Sequence, residues 1–230
     1  MESLAWADRI LVFDSFSVDE TVALARAAGA DVSQCHFENY AQQRNAALDS
    51  LQTDWVFFVD ADERATPELA QEVREVIEER PEAGWYVPRH NYIFGKLTRG
   101  AGWYPDYQAR LFRRGRVRYE RPVHEVAVVD GPIGYLKHPL IHYNYRDLAH
   151  FRTKQQAYVE YDAVQLKQQG IKPKLYTPFT QPLRHFWWRF VTLRGHLDGF
   201  HGLRLSLWMA YYEWLKYRKL ADSWATDGLK

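Results

Sequence analysis

The sequence predicts an α/β fold, a mostly parallel sheet flanked by helices, with a helical appendage at the C-terminus. Three observations carry that expectation. The first eighty or so residues alternate short apolar runs with segments of helical period. Residues 84–145 change to short aromatic and β-branched runs punctuated by Gly and Pro. From Asp147 onward the pattern is helical almost throughout.

Arg9 to Phe13 is an apolar run ending at Asp14 and reads as a buried parallel strand. Ser17 and Glu20 have capping-box spacing, with Ser17 as N-cap, and the Ala-rich helix that follows stops at Gly29. Asp31 to Phe37 reads as a second strand, and a helix follows from Tyr40 to Leu51. Trp55 to Val59 forms a third strand that ends at Asp60, and Thr66-Pro67 opens a helix closing near Arg80-Pro81. This β-α-β-α-β-α order argues for a parallel sheet covered on both faces. Ligands of such sheets sit beyond the carboxyl ends of the strands, where Asp14 and Asp60 both fall.

The runs GWYVPR, YQARLF, VRYERPVHEVAVV and PLIHYNY read as strands of a mixed sheet with long loops. Asp147 caps a helix lasting to Gln169-Gly170, Pro173 to Pro182 reads as a linker, and helices follow over 183–196 and 203–220. The expected division is a sheet domain over 1–146, holding donor and acceptor, and a helical region over 147–230.

A 230-residue chain that is 47% hydrophobic and 26% charged has a real core and is not disordered. The single cysteine, Cys35, excludes an internal disulfide and a multi-cysteine zinc site, and its strand-like setting predicts a buried, inert thiol. Met1-Glu2-Ser3 lacks the basic and then apolar segments of a signal peptide, so a reducing, cytoplasmic setting is expected. The net charge of +1 hides an asymmetry: residues 1–80 sum to −11, residues 81–149 to +5 and residues 150–230 to +7. The basic remainder suits phosphate-rich lipid or an anionic glycan. Its scattered basic residues form no recognised nucleic-acid motif, so no nucleic-acid partner is expected.

Asp60-Ala61-Asp62 places two carboxylates on a turn at a strand's end, hard oxygen donors suited to Mg or Mn. A cation held there keeps positions open for substrate phosphates. The bland alternative is an acidic turn that solubilises the chain and favours the helix after Thr66. A phosphatase would carry Thr or Val two residues after the second Asp, where this chain has Arg64.

The segments ADRILVFDSFSVDETVALARAAGADV and FENYAQQRNAALDSLQTDWVFFVDADERATPELAQEV resemble the nucleotide-sugar domain of family 2 glycosyltransferases, which has the GT-A fold. GWYPDYQARLFRRG followed by RPVHE resembles the bacterial branch that adds sugars to the lipopolysaccharide inner core. The resemblance implies that Asp14 contacts the uracil of UDP, that Asp60 lies near the ribose or diphosphate, and that Asp62 is the principal metal ligand. Gln43, Arg44 and Asn45 match the QRN element beside the nucleotide. Glu125 is implied as the catalytic base, with Asp106 as the rival, and His124 as a further metal ligand or a donor to the diphosphate. Arg110, Arg113 and Arg114 are possible phosphate contacts, or part of a solvated hairpin. The implied partners are a nucleotide-sugar donor and a lipid-linked or glycan acceptor, met at the cytoplasmic face of the bacterial inner membrane.

Two features stand apart. The family's first strand, ending in a Tyr-Asn-Glu-like turn, has no match here: either the true start lies upstream, or the chain is a truncated copy with a weakened fold and weaker UDP binding. A second reading therefore stands beside the transferase: a truncated, non-catalytic glycan- or membrane-binding remnant of the same fold. Near the C-terminus, Phe179, Leu183, Phe186, Trp187, Phe190, Val191 and Leu197 recur at helical spacing with Arg184, Arg189 and Arg194 interleaved. Leu203, Leu207, Trp208, Tyr211, Tyr212, Trp214 and Leu215 repeat the pattern, closing on Lys216, Arg218 and Lys219. Neither helix has the roughly 18 uncharged residues of a spanning segment. The pair suits a peripheral membrane surface, or else closes the back of the core or a dimer.

Overall fold

The computed structural model describes residues 1–121 and 125–227. A 3-10 turn, Glu2–Leu4, precedes β1 (Leu11–Asp14), α1 (Thr21–Ala27), β2 (Asp31–Gln34), α2 (Tyr40–Ser50), β3 (Trp55–Phe57), β4 (Glu63–Ala65) and α3 (Pro67–Glu79). Then come β5 (Gly84–Ile93), β6 (Lys96–Leu97), β7 (Tyr107–Arg113), β8 (Val117–Glu120), β9 (Val126–Val129), β10 (Ile133–Tyr135) and β11 (Leu140–Tyr145). The chain ends in α4 (Leu148–Gln168), α5 (Thr177–Trp187), a π turn over Trp188–Thr192, a 3-10 turn over Gly195–Asp198, and α6 (Gly199–Asp227). The fold is α/β, a mixed sheet flanked by helices with a helical C-terminal region.

Two compact units divide the chain, residues 1–89 with 107–141, and residues 90–106 with 142–230. In the first unit β1 and β2 pair in parallel as a two-stranded sheet. The seven-stranded sheet has the order β3-β7-β5-β11-β4, with β6 and β10 also pairing β5. Here β3 runs antiparallel to β7, and β7 antiparallel to β5. The run WVFFV is apolar without a break because both of its faces are covered. Trp55 and Phe57 join Leu69, Val73 and Val76 of α3, while Val56 and Phe58 join Ala41 and Leu48 of α2. Leu69 is fully buried, a position worth about 1.5–3 kcal/mol for a leucine.

Capping decides several helix starts. Thr66 accepts from Leu69 N–H with Pro67 in the first turn, and Asp147 accepts from His150 N–H at 2.8 Å. Ser17 is not the N-cap of α1, which starts later behind Glu20, because its hydroxyl and N–H are taken by Asp14. Gly29 does follow the helix in the left-handed region, at φ 83°. Cys35 lies just past β2 and is half-buried, not buried, because the strand stops at Gln34.

The second unit packs Phe151 and Val159 of α4 and Leu205 and Tyr212 of α6 around Ile93 and Tyr145. The stretch 173–182 is not a linker, since α5 starts at Thr177. Pro178 sits in the first turn, where its missing N–H costs nothing, and Pro182 costs a single helical bond. A Cβ on Gly202 would lie 1.8 Å from the carbonyl oxygen of Gly195, so that approach requires glycine. Among the described residues no helix is long and apolar enough to cross a membrane.

Candidate active site

The candidate site is built in the first unit from strand ends and the first turns beyond them. Asp14 closes β1 and is buried. Its carboxylate accepts from Ser17 N–H at 3.0 Å, from the Ser17 hydroxyl, and from Gln34 Nε2 at 2.9 Å. The Ser17 hydroxyl, then Gln34, hold its pKa below the usual carboxylate value against the opposing effect of burial. Gln43 of α2 donates from Nε2 to Ser15 Oγ at 2.7 Å, tying the helix to the turn after β1.

The Asp60 turn rests on an ion network. Asp60 N–H donates to Glu63 Oε2 at 2.9 Å, and Glu63 N–H returns a bond to Asp60 O at 2.9 Å. The Glu63 side chain is fully buried, and its Oε1 takes Arg110 Nη2 at 2.8 Å and Arg89 Nη1 at 3.3 Å. Arg110, on β7, also grips both oxygens of Asp60, at 2.5 and 3.2 Å. Burial pushes the Asp60 pKa up, but the charge and hydrogen bonds of Arg110, with Arg44 and Arg89 behind them, bring it down to about 2. Burial pulls the Arg110 pKa down, and the charges of Asp60 and Glu63 more than offset it, so its pKa is raised overall.

Arg44 bridges the rest of the cluster. Its Nη2 lies 3.3 Å from Asp60 Oδ1 and its Nε 3.6 Å from Glu125 Oε1. Its guanidinium is 5.3 Å from the ring centres of both Phe58 and Tyr119. Asn45 spends both ends of its amide on the backbone of Tyr119, at 2.8 and 2.9 Å, which fixes β8 against α2. Asp62 is half-buried on the same turn as Asp60, and Arg64 donates to Ala61 O and Glu63 O on that turn.

Asp106 belongs to a polar cluster of the second unit. Fully buried Asn91 donates to Asp106 Oδ2 and to Trp103 O, each at 2.9 Å. Asn91 Oδ1 pairs with His142 Nδ1 at 2.7 Å and accepts from Asn144 Nδ2 at 3.3 Å. The expected metal ligand His124 lies outside the described residues.

The three arginines that the sequence grouped as possible phosphate contacts separate. Arg110 is buried in the carboxylate network, Arg113 lies 5.0 Å from the Trp55 ring centre, and Arg114 reaches Leu51 O. Sequence reasoning missed Glu63 and Arg89. One signal was available: an arginine inside the apolar run ARLF needs a buried carboxylate partner, and Glu63 follows the D-A-D triplet directly.

Among the described residues no three His, Cys, Asp or Glu side chains converge as a ready-made cation cage. Two surface cavities, of 570 Å³ beside Trp208 and Tyr212 and of 430 Å³ beside Asn45 and Tyr119, contain neither Asp60 nor Asp62. The site is thus a half-buried turn beyond β3 whose Asp60 and Glu63 carboxylates are held by Arg110, Arg89 and Arg44. That arrangement sets carboxylate oxygens beside largely buried guanidinium groups, polar chemistry compatible with a phosphate and its counter-cation.

The model for glycosyl transferase family 2 matches residues 4–132, a span that includes Asp14, Gln43, Arg44, Asp60, Asp62 and Glu125. The lipopolysaccharide core biosynthesis glycosyltransferase LpsC of Rhizobium meliloti is 31% identical over 217 residues, covering 87% of this chain and 78% of that protein. An uncharacterized glycosyltransferase of Rickettsia felis is 25% identical over 240 residues, covering 94% and 81%. Among solved structures, S. aureus TarS 1-349 aligns with a TM-score of 0.46 at 14% identity, covering 98% of this chain and 86% of that one. A likeness that low says nothing of this chain's ligands.

Proposed function

We propose, from the premise that this chain belongs to glycosyl transferase family 2, that it moves a sugar from a UDP-sugar to a glycan acceptor of the lipopolysaccharide-core class, with inversion. Glycosyl transfer follows from the family. The donor nucleotide, the acceptor class and the metal are finer readings. The observation that carries them is the Asp60–Glu63 turn, held beyond β3 by Arg110, Arg89 and Arg44. The acceptor class draws on the name of one relative, a core biosynthesis enzyme 31% identical over 87% of this chain.

In this reading the buried Asp14 carboxylate, aimed by Ser17 and Gln34, accepts from the base of the nucleotide. Gln43 and Arg44 line the nucleotide's approach, and Asn45 keeps β8 in place beside them. The donor set fits Mg or Mn in the mode where one or two carboxylates and substrate phosphates share the cation. Asp62 would be the principal ligand, since both oxygens of Asp60 are engaged by Arg110. Bound there, such a cation supplies positive charge to the departing diphosphate.

Glu125 is the proposed base, because Arg44 links it to Asp60. Its carboxylate takes the acceptor hydroxyl's proton as that oxygen bonds to the anomeric carbon and the bond from that carbon to the diphosphate breaks. Asp106, anchored by Asn91, is the alternative base. The test is UDP release from a panel of UDP-sugars with a core-oligosaccharide acceptor, with Mg or Mn present or chelated. Asp62→Asn should abolish the metal response, and unchanged turnover would remove Asp62 from the metal site. Glu125→Gln should lower kcat by about 10²–10⁴ with donor affinity retained. If Asp106→Asn does this and Glu125→Gln does not, the base is Asp106.

One observation favours a second reading, a non-catalytic glycan- or membrane-binding remnant. The strands β1 and β2 stand as their own sheet, and β3 pairs with β7 in another. A remnant would show no UDP heat in calorimetry, with or without metal.

A further inference from the structure

Helix α5 and the π turn after it leave a row of large apolar side chains in water. An amphipathic helix in water turns its apolar side chains inward and its polar ones out. Here Leu175, Phe179, Leu183, Trp187 and Val191, four residues apart, are all solvent-exposed, between 39% and 97%. On the other side His185 and Arg189 are withdrawn from water together with Phe186 and Phe190, while Thr180 and Arg184 stay exposed. Arg189 donates from Nε to His185 Nε2 and from Nη1 to Ala101 O, both at 2.6 Å. His185 Nδ1 lies 3.8 Å from Glu213 on α6, and Lys216 pairs with the same carboxylate at 2.7 Å. Arg189 is thus tied inward by two hydrogen bonds, with the apolar row on the opposite, solvent side.

Charge says what covers the row. Residues 163–197 carry six Lys or Arg and no Asp or Glu. Lys172, Lys174 and Arg184 are exposed on and just before α5. Two copies of this face would bring like charges together, whereas an anionic bilayer surface neutralises them. Trp and Phe with flanking cations is the composition of a helix lying in the headgroup region. No described helix is long and apolar enough to cross the bilayer.

We propose that the outer face of α5 and its π turn docks on an anionic membrane interface, with the Leu175–Val191 row in the acyl boundary and the basic residues at the headgroups. This surface lies outside the transferase chemistry and does not depend on it.

The experiment is co-sedimentation of the full chain with vesicles of phosphatidylcholine alone or mixed with phosphatidylglycerol, neither of which carries a glycan acceptor. We expect partitioning about tenfold stronger on the anionic vesicles, weakened by salt, with a blue shift of tryptophan emission. Phe179→Asp with Leu183→Asp should abolish binding while circular dichroism and Tm stay unchanged, because both positions face solvent. Lys172→Glu with Lys174→Glu should remove the preference for anionic vesicles. Wild-type chain that stays in the supernatant, or aspartate variants that bind as well as wild type, would overturn the proposal. So would a stable dimer in light scattering that Leu183→Asp dissolves.

Discussion

Replacing Arg110 by methionine keeps the stem volume and deletes the guanidinium beneath the Asp60 turn. Glu63 then loses its 2.8 Å partner and keeps Arg89 at 3.3 Å. Its side chain is fully buried, so water cannot replace the lost arm. Removing one partner from a buried pair costs about 3–5 kcal/mol, and the surviving Arg89 contact argues for the lower end. Asp60 loses both of its Arg110 bonds. Its fall from 3.8 to about 2 would be worth about 2.4 kcal/mol at full weight. Because that carboxylate is 41% exposed, solvent screening cuts its share to about 1 kcal/mol. The two shares overlap within one network, so a loss of about 3 kcal/mol is expected, or roughly 6–12 °C in Tm.

The assay is urea unfolding near neutral pH with an unchanged m value, repeated down an acid series. The Asp60 pKa is depressed in the folded state. Its stabilisation is therefore complete above the unfolded value of 3.8 and is lost as pH falls through about 2. The gap between wild type and variant should narrow over that window. A difference under about 1 kcal/mol at neutral pH, or a gap that stays constant into the acid range, would refute the network as the support of the turn.

Three further outcomes follow from other parts of the fold. Burial first, then the charges of Arg189, Lys216 and Arg184, lower the His185 pKa from 6.5 to about 4. Stability should therefore fall by about 2 kcal/mol from pH 7 to 5, as the unfolded state takes up the proton that the folded state refuses. His185→Gln should flatten that slope in urea titrations. Gly202→Ala puts a Cβ 1.8 Å from Gly195 O, a backbone clash expected to cost at least about 3 kcal/mol in thermal unfolding. Asn91→Ala strands the buried partners of its amide, so a loss of about 3 kcal/mol is expected, together with a raised KM if Asp106 meets the acceptor. Wild-type stability in that variant would show that the cluster is filled by water at no cost.

Much of the scaffold was legible from local rules. The strand ends at Asp14 and at the Asp60 turn, the caps at Thr66 and Asp147, and the stop at Gly29 follow from apolar runs and backbone needs within a few residues. A domain boundary expected near residue 146 meets a chain whose second unit also takes residues 90–106. Segment membership of that kind is set by contacts far apart in sequence.

What the amino-acid order determined by itself was the alternation of strands and helices up to α3 and the acidic turn beyond a buried strand, because capping and periodicity act within a helical turn or a strand. Only the tertiary structure decided how those pieces are used. Ser17 had the spacing of an N-cap, yet a carboxylate three residues upstream captured it. Arg110 had the look of a phosphate contact, yet Glu63 and Asp60, about fifty residues away, took its charge inside the fold. The stripe on α5 was visible as a helix, but which side faces water depended on Glu213 and Ala101 waiting on the inner side. A buried charge must find its partner wherever the fold supplies one, and local pattern cannot say where that is.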